Sequence, residues 1–214
     1  MTPHSPQSLV MSKTDLQRAY DRFAPSYNRA DWIIEHLLGV KKLRRLLLAR
    51  AQGDVLDVAC GTGTNLRYLP NAQSITAVDL SPGMLAEAQK RAQQLNLSAT
   101  FHEMDAESLA FPDENFDTVI STMSTCTFPD TVAALREMAR VCRADGRILL
   151  LEHGLSTKNW LARFQHRTAP RHFRAVGCRW NQDTLALVEK AGLRIQSARR
   201  ALLGILHAIE ALPG

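Results

Sequence analysis

Between residues 54 and 152, short runs of β-branched and aliphatic residues alternate with helical stretches, and few architectures accommodate that alternation. The runs fall at about 54–59, 74–79, 99–102, 116–121 and 147–152. Between them the pattern predicts helices over about 64–69, from Ser81-Pro82 onward, and over about 130–141. Serine at the cap with proline at the first helical position is a start signal, because it satisfies an orphan N–H and presets φ. The expected fold is α/β, doubly wound and Rossmann-like, around a mostly parallel sheet. The ends of the chain differ from this middle. Helical stretches at 14–27 and 31–50 precede the first strand and have no strand to cross over to. A basic helix over 158–174 and a helix over 181–191, closed by Gly192, follow the fifth strand. Alternating tails at 193–197 and 204–210, joined around Leu203-Gly204, predict an antiparallel hairpin at one sheet edge, for seven strands in all.

The chain's 214 residues suit one domain with a well-buried core. With 45% hydrophobic and 22% charged residues, the composition argues against disorder, and no apolar run approaches the roughly 20 residues of a membrane span. Residues 1–10 lack a basic region leading into an apolar stretch, so they read as a disordered leader rather than a secretory signal, and Met11 is an alternative start. Cys60, Cys126, Cys142 and Cys178 stand 66, 16 and 36 residues apart, without the clustering of a disulfide framework or zinc site. Reduced thiols, a cytoplasmic location and no metal are the expectations. The net charge of +5 concentrates in Lys41-Lys42-Leu43-Arg44-Arg45 and in 163–179, a stretch that includes His166 and His172. These clusters read as solvated helix faces, or as attraction to an anionic membrane surface or an acidic substrate. No aromatic-interleaved platform or helix-turn-helix pattern points to nucleic acid.

The most informative stretch is Val55-Leu-Asp-Val-Ala-Cys-Gly-Thr-Gly-Thr-Asn-Leu66. A strand ends at a Gly-x-Gly turn, where the backbone approaches a ligand without a Cβ in the way. No Gly-Lys-Ser/Thr follows, which excludes a P-loop, and Leu66 takes the third glycine of a dinucleotide fingerprint. Asp57, an acid four residues before Gly61, suits a ligand with an ammonium group and no pyrophosphate. The run resembles motif I of class I S-adenosylmethionine-dependent methyltransferases. The resemblance implies S-adenosyl-L-methionine as cofactor, held by Asp57, Ala59, Gly61, Thr62, Gly63 and Asn65. Asp79 and Leu80 end the second strand, where an acid accepts from ribose hydroxyls. Met84 of Ser81-Pro-Gly-Met84 resembles the family residue that packs on adenine, Asp105 and Ala106 the place of the adenine amino group, and Ser121 the sulfonium side.

Tyr20-Asp-Arg-Phe-Ala-Pro-Ser-Tyr27-Asn28 resembles the Tyr-Asp-x-x-Ala-x-x-Tyr-Asp signature of the ubiquinone/menaquinone methyltransferase-like branch, with Asn28 in place of the last acid. In that branch the segment closes over the cofactor as a lid, which implies Tyr20 at the cofactor and Tyr27 at the chemistry. The alternative is that both tyrosines only anchor a core helix. Leu151-Glu-His153, Gly177-Cys178 and Trp180-Asn181 are similar to thiol methyltransferase-like proteins. His153 is a candidate base or a hydrogen-bonded structural histidine, and Cys178 a pocket thiol or a buried structural one. On this reading residues 1–13 are a leader and 14–214 a single domain. Within it lie lid helices (14–50), a cofactor core (53–152), a substrate-side segment (153–192) and a C-terminal hairpin (193–214). Trp32-Ile-Ile, Leu37-Leu38 and Leu46–Leu48 beside the basic cluster suggest peripheral membrane contact. They also suggest a small or amphipathic acceptor: a thiol, a lipid headgroup amine or a quinone. The other class left open is a non-catalytic cofactor-binding or membrane-interaction module.

Overall fold

The computed structural model describes residues 11–37 and 39–214, with residues 28–37 described in backbone only. Among these, β1 (Gly53–Val58), β2 (Ala72–Asp79), β3 (Thr100–Glu103), β4 (Phe116–Thr122), β5 (Cys142–His153), β6 (Arg194–Ala201) and β7 (Leu206–Leu212) form one sheet in the order β3-β2-β1-β4-β5-β7-β6. The first five strands are parallel; β7 runs antiparallel to both β5 and β6. The C-terminal hairpin lies at the edge, as its alternating pattern predicts.

Among the described residues six α-helices accompany the sheet: α1 (Lys13–Leu37), α2 (Val40–Leu48), α3 (Pro82–Gln94), α4 (Thr131–Val141), α5 (Asn159–Val176) and α6 (Thr184–Lys190). One core joins the sheet to α4 and α6 through Leu135, Met138 and Val188. A second joins it to α2 and the end of α3 through Val40, Leu47, Leu48 and Ala92. Covered on both faces, β5 carries the unbroken apolar run Ile148–Leu151, every residue of it inaccessible. Each such side chain contributes roughly 1.5–3 kcal/mol on burial, which makes β5 the spine of the molecule. The outer strand β6 instead exposes Arg194, Arg199 and Arg200, charges that discourage edge-to-edge pairing.

Two helical expectations shift. The N-terminal break, expected at 28–30, occurs ten residues later at Gly39, in the left-handed region at φ +71, and α1 runs through Pro25. A single proline removes one N–H donor, and the Asn-Arg-Ala-Asp that follows contains neither glycine nor proline to stop the helix. The stretch after the glycine turn is a short 3₁₀ helix, Thr64–Tyr68, rather than an α-helix. Leu69 precedes Pro70, and the residue before proline is pushed out of the α region.

Candidate active site

The chain leaves β1 toward β2 and β3, then returns to build β4 and β5 on the other side, so the sheet has a topological switch between β1 and β4. Ligands in such sheets bind outside the carboxyl ends of the strands at that point. A cleft lies there whose empty space, open mouth included, is about 920 Å³. Two non-glycine residues on its wall have left-handed backbones, Ala59 after β1 (φ 54) and Met123 after β4 (φ 57). Strain of this kind, of order 1–3 kcal/mol per residue, persists where the surroundings over-determine it, and it concentrates at functional sites. The glycines of the turn play different parts. A Cβ on Gly61 would stand in open space, whereas one on Gly63 would meet the Leu66 side chain at 2.9 Å and Ala88 at 3.1 Å. Gly61 thus leaves room toward the cleft, while Gly63 lets α3 pack against the turn.

Asp79, at the end of β2, lies on the cleft wall and accepts hydrogen bonds from Gly61 N (2.8 Å) and Ser81 N (2.9 Å). Burial pushes its carboxyl up to about 6 against the lowering effect of those bonds. Asp57 lies beneath the turn, fully buried, with one oxygen accepting from Asn65 Nδ2 (2.9 Å). Burial pushes it up to about 7, and Asn65 and the nearby Arg44 pull it back. The Arg44 guanidinium, 2% exposed, donates to Asn65 Oδ1 and Thr122 Oγ1 and lines the cleft. It is a site residue within a basic cluster whose charge pattern predicts a solvated helix face or attraction to an anionic surface or acidic substrate. Its place was encoded in helical periodicity, because Val40, Arg44, Leu47 and Leu48 form the buried stripe of α2.

Helix α1 lies over the cleft and is tied to it along its first half. Lys13 pairs with Asp105 and with Glu107 (2.8 Å), and Gln17 Nε2 donates to Glu103 (2.9 Å). Asp21 accepts from Ser81 Oγ (2.6 Å) and Gly83 N (3.0 Å) at the start of α3. Tyr20 and Tyr27 both line the cleft, and burial holds the Tyr20 phenol well above its ordinary value. Asn28, Trp32, Ile33, Ile34, Leu37 and Leu38 lie outside the described side chains, as residues 1–10 lie outside the described chain.

Of the other residues expected at the site, Ala59, Thr62, Leu80, Met84, Asp105 and Ala106 line the cleft alongside Gly61 and Asp79. Asp57, Gly63 and Asn65 stand behind the lining. Ser121 also lies off the cleft wall, its hydroxyl donating to Val58 O (3.0 Å) and bonded to Ser124 Oγ. His153, the expected base, does not reach the wall either. Its Nε2 lies 3.2 Å from Cys178 Sγ, and Cys126 completes a compact cluster of two thiols and an imidazole. Sequence spacing gave no sign of this cluster, since its members follow three different elements. The cysteine spacing had argued against any such grouping. Missed lining residues include Leu16, Thr127 and Phe128.

Comparisons with known proteins agree on the fold. Residues 55–146 match the family model described as a methyltransferase domain. The mitochondrial methyltransferase OMS1 of Saccharomyces cerevisiae is 30% identical over 94% of this chain and 47% of its own length. A phosphatidylethanolamine N-methyltransferase of Cereibacter sphaeroides is 37% identical over 51% of this chain and 55% of its own. The chain thus spans about half the length of these relatives. A crystal structure of an S-adenosylmethionine-dependent methyltransferase from Thermotoga maritima superimposes with a TM-score of 0.67 at 19% identity, covering 93% of this chain and all of that one.

Proposed function

Since the chain belongs to the class I S-adenosylmethionine-dependent methyltransferases, we propose that its cleft binds S-adenosyl-L-methionine and that the protein transfers the methyl group to an amphipathic hydrophobic acceptor. The observation that carries this reading is a pair of buried oxygens flanking the Gly61 turn, Asp57 Oδ2 and Thr62 Oγ1, which have no hydrogen-bond partner among the described residues. An unsatisfied buried polar group costs about 1–3 kcal/mol, more when charged, and a cationic ligand that donates hydrogen bonds offsets that cost. Thr62, on the wall, suits the amino-acid end of the cofactor, with the Asp57 carboxyl behind it supplying negative charge; Asp79 suits its ribose hydroxyls, and Met84, Asp105 and Ala106 its adenine. The fit is therefore good.

When bound, the cofactor supplies an electrophilic methyl group on a sulfonium. The protein's task is then alignment and exclusion of water. Helix α1 covers the cleft, Arg44 and Thr122 hold the β4 side of its wall, and Tyr27 positions the acceptor's heteroatom through its hydroxyl. His153, off the wall, is not assigned the base.

An amphipathic acceptor is supported by the surface of α5 and the hairpin turn. Trp160 is 62% exposed, Phe164 52% and Leu203 50%. Arg163, Arg167 and Arg171 are exposed on the same helix, and Leu203 O accepts from Ser156 Oγ (2.7 Å) just ahead of it. Exposed aromatics among basic residues suit an anionic membrane surface. No helix among the described residues is long and apolar enough to cross a membrane. In the α2 cluster Arg44, Leu47 and Leu48 are buried while Lys41, Lys42 and Arg45 are exposed, so α5 and the hairpin turn add a second surface suited to membrane contact. The acceptor in the name of the Cereibacter relative, a lipid headgroup amine, fits the same surface. Labelled S-adenosylmethionine offered with thiol, amine, phenol and quinone acceptors, free and in anionic vesicles, tests the proposal. Transfer to an amphipathic acceptor, faster in vesicles, is expected. Cofactor binding with no transfer to any of them would leave a non-catalytic module.

A further inference from the structure

Cys126 lies in the loop after β4, His153 ends β5, and Cys178 follows the left-handed Gly177 that closes α5. Their Sγ, ring nitrogen and Sγ atoms all lie within 4.8 Å of one another. We propose that Cys126, His153 and Cys178 bind one zinc ion. Two thiolates and an imidazole are the ligand set of a borderline-soft divalent metal, and three protein ligands leave a fourth tetrahedral position for water or another donor. The inference stands apart from the methyl-transfer reading.

The frame that carries the ligands is built. Arg179 N donates to Cys126 O (3.0 Å), joining the β4 loop to the segment of Cys178. Thr184 Oγ1 donates to His153 O (3.3 Å). Ligands held by bonds of their own backbone keep their spacing before the metal arrives. The remaining cysteines are different: Cys142 stands singly in the apolar core, the usual place of a structural thiol, and Cys60 stands singly in the cleft turn. Charge points the same way. Glu152, fully buried, accepts from the Ser124 and Thr125 N–H groups beside the cluster. A dication offsets the negative charge that two thiolates would add next to that carboxylate. Cys126 is buried, but His153 and Cys178 are only partly covered, which gives an ion a way in. His172 also reaches the Cys178 thiol and is stacked on Trp180 at 4.9 Å, the position of an outer-shell partner.

The full chain, reduced and stripped of metal by a chelator, is titrated with cobalt(II) and then zinc(II). One cobalt per chain is expected, with tetrahedral d–d bands and a thiolate-to-cobalt charge-transfer band, both erased by zinc. Cys126→Ser and Cys178→Ser should each diminish the charge-transfer band. They should weaken binding by more than the roughly 10–100-fold that loss of an outer-shell partner costs. Cys142→Ser should change neither. Wild-type protein decides the matter even if a variant fails to fold. A reduced wild-type chain that takes up no cobalt overturns the proposal. If that chain instead loses two thiol hydrogens on mild oxidation and maps as a Cys126–Cys178 disulfide, the pair is a redox dithiol, not a metal site.

Discussion

Around the Gly61 turn, the two aspartates and the glycines are placed by the ends of β1 and β2. Beyond β5, by contrast, the reactive groups are brought together from segments remote in sequence. Asp79 is held by the N–H groups of Gly61 and Ser81, and Gly63 is required by α3 packing against the turn. Cys126, His153 and Cys178 meet only because a loop, a strand end and a helix end converge. The first region is a local motif preorganised for one ligand. The second exists only through tertiary structure and is free to vary chemically. Cofactor binding should therefore depend on single residues of the first region and be insensitive to the second.

The largest effect expected is that of Asp79→Ala. Loss of hydrogen bonds to a charged group should weaken cofactor binding by about 1–3 kcal/mol, roughly 5–150-fold, in a protein that stays folded. Calorimetry with the demethylated product reads it, and an unchanged affinity would erase the contrast between the two regions. Arg44→Met should act on stability instead. It removes the donors to Asn65 Oδ1 and Thr122 Oγ1, at a cost of about 2 kcal/mol. Denaturant melts showing no loss would mean that the buried stripe of α2 does not support the cofactor floor.

The acidity of the same floor sharpens the comparison. Burial raises Asp57 to about 7 and Asp79 to about 6 from an ordinary 3.8. An acid raised in this way adds stability that is fully present below its unfolded value and is lost as pH rises through its folded value. Lowering the pH from about 7.5 to about 5 should thus stabilise the unliganded protein through these groups. Over the same range, affinity for the cationic cofactor should fall as the carboxylates take up protons. Melting curves with and without ligand that run parallel across this range would separate the carboxylates from the ligand. The smallest effect is expected from Lys13→Ala. Its side chain is 47% exposed, and an exposed pair is worth at most about 1 kcal/mol and is screened by salt. Amide exchange in α1 should quicken a few-fold at low salt and not at all at high salt. Equal exchange in both would show that α1 is held without the Lys13 pair.

The contrast also explains what was legible in the sequence. The order and type of the core strands, the Ser81 cap and the edge hairpin follow from period, capping chemistry and turn residues within a few positions. The cleft residues on strand ends were legible for the same reason. Ser121 was misplaced because adjacent side chains on a strand point to opposite faces, and its hydroxyl turns to Val58 O. Arg44 was misread because charge was weighed above its place on an apolar stripe. The cysteine–histidine cluster was invisible, since no local spacing encodes a meeting of three separate segments.

The most direct test of the account is an equilibrium titration of the wild-type chain with S-adenosylmethionine and with its demethylated product. Binding of one molecule per chain in the micromolar range, competitive between the two and matched by an upward shift of the melting temperature, is expected, with no response to NADH. A folded chain giving neither heat nor thermal shift at millimolar ligand would contradict it.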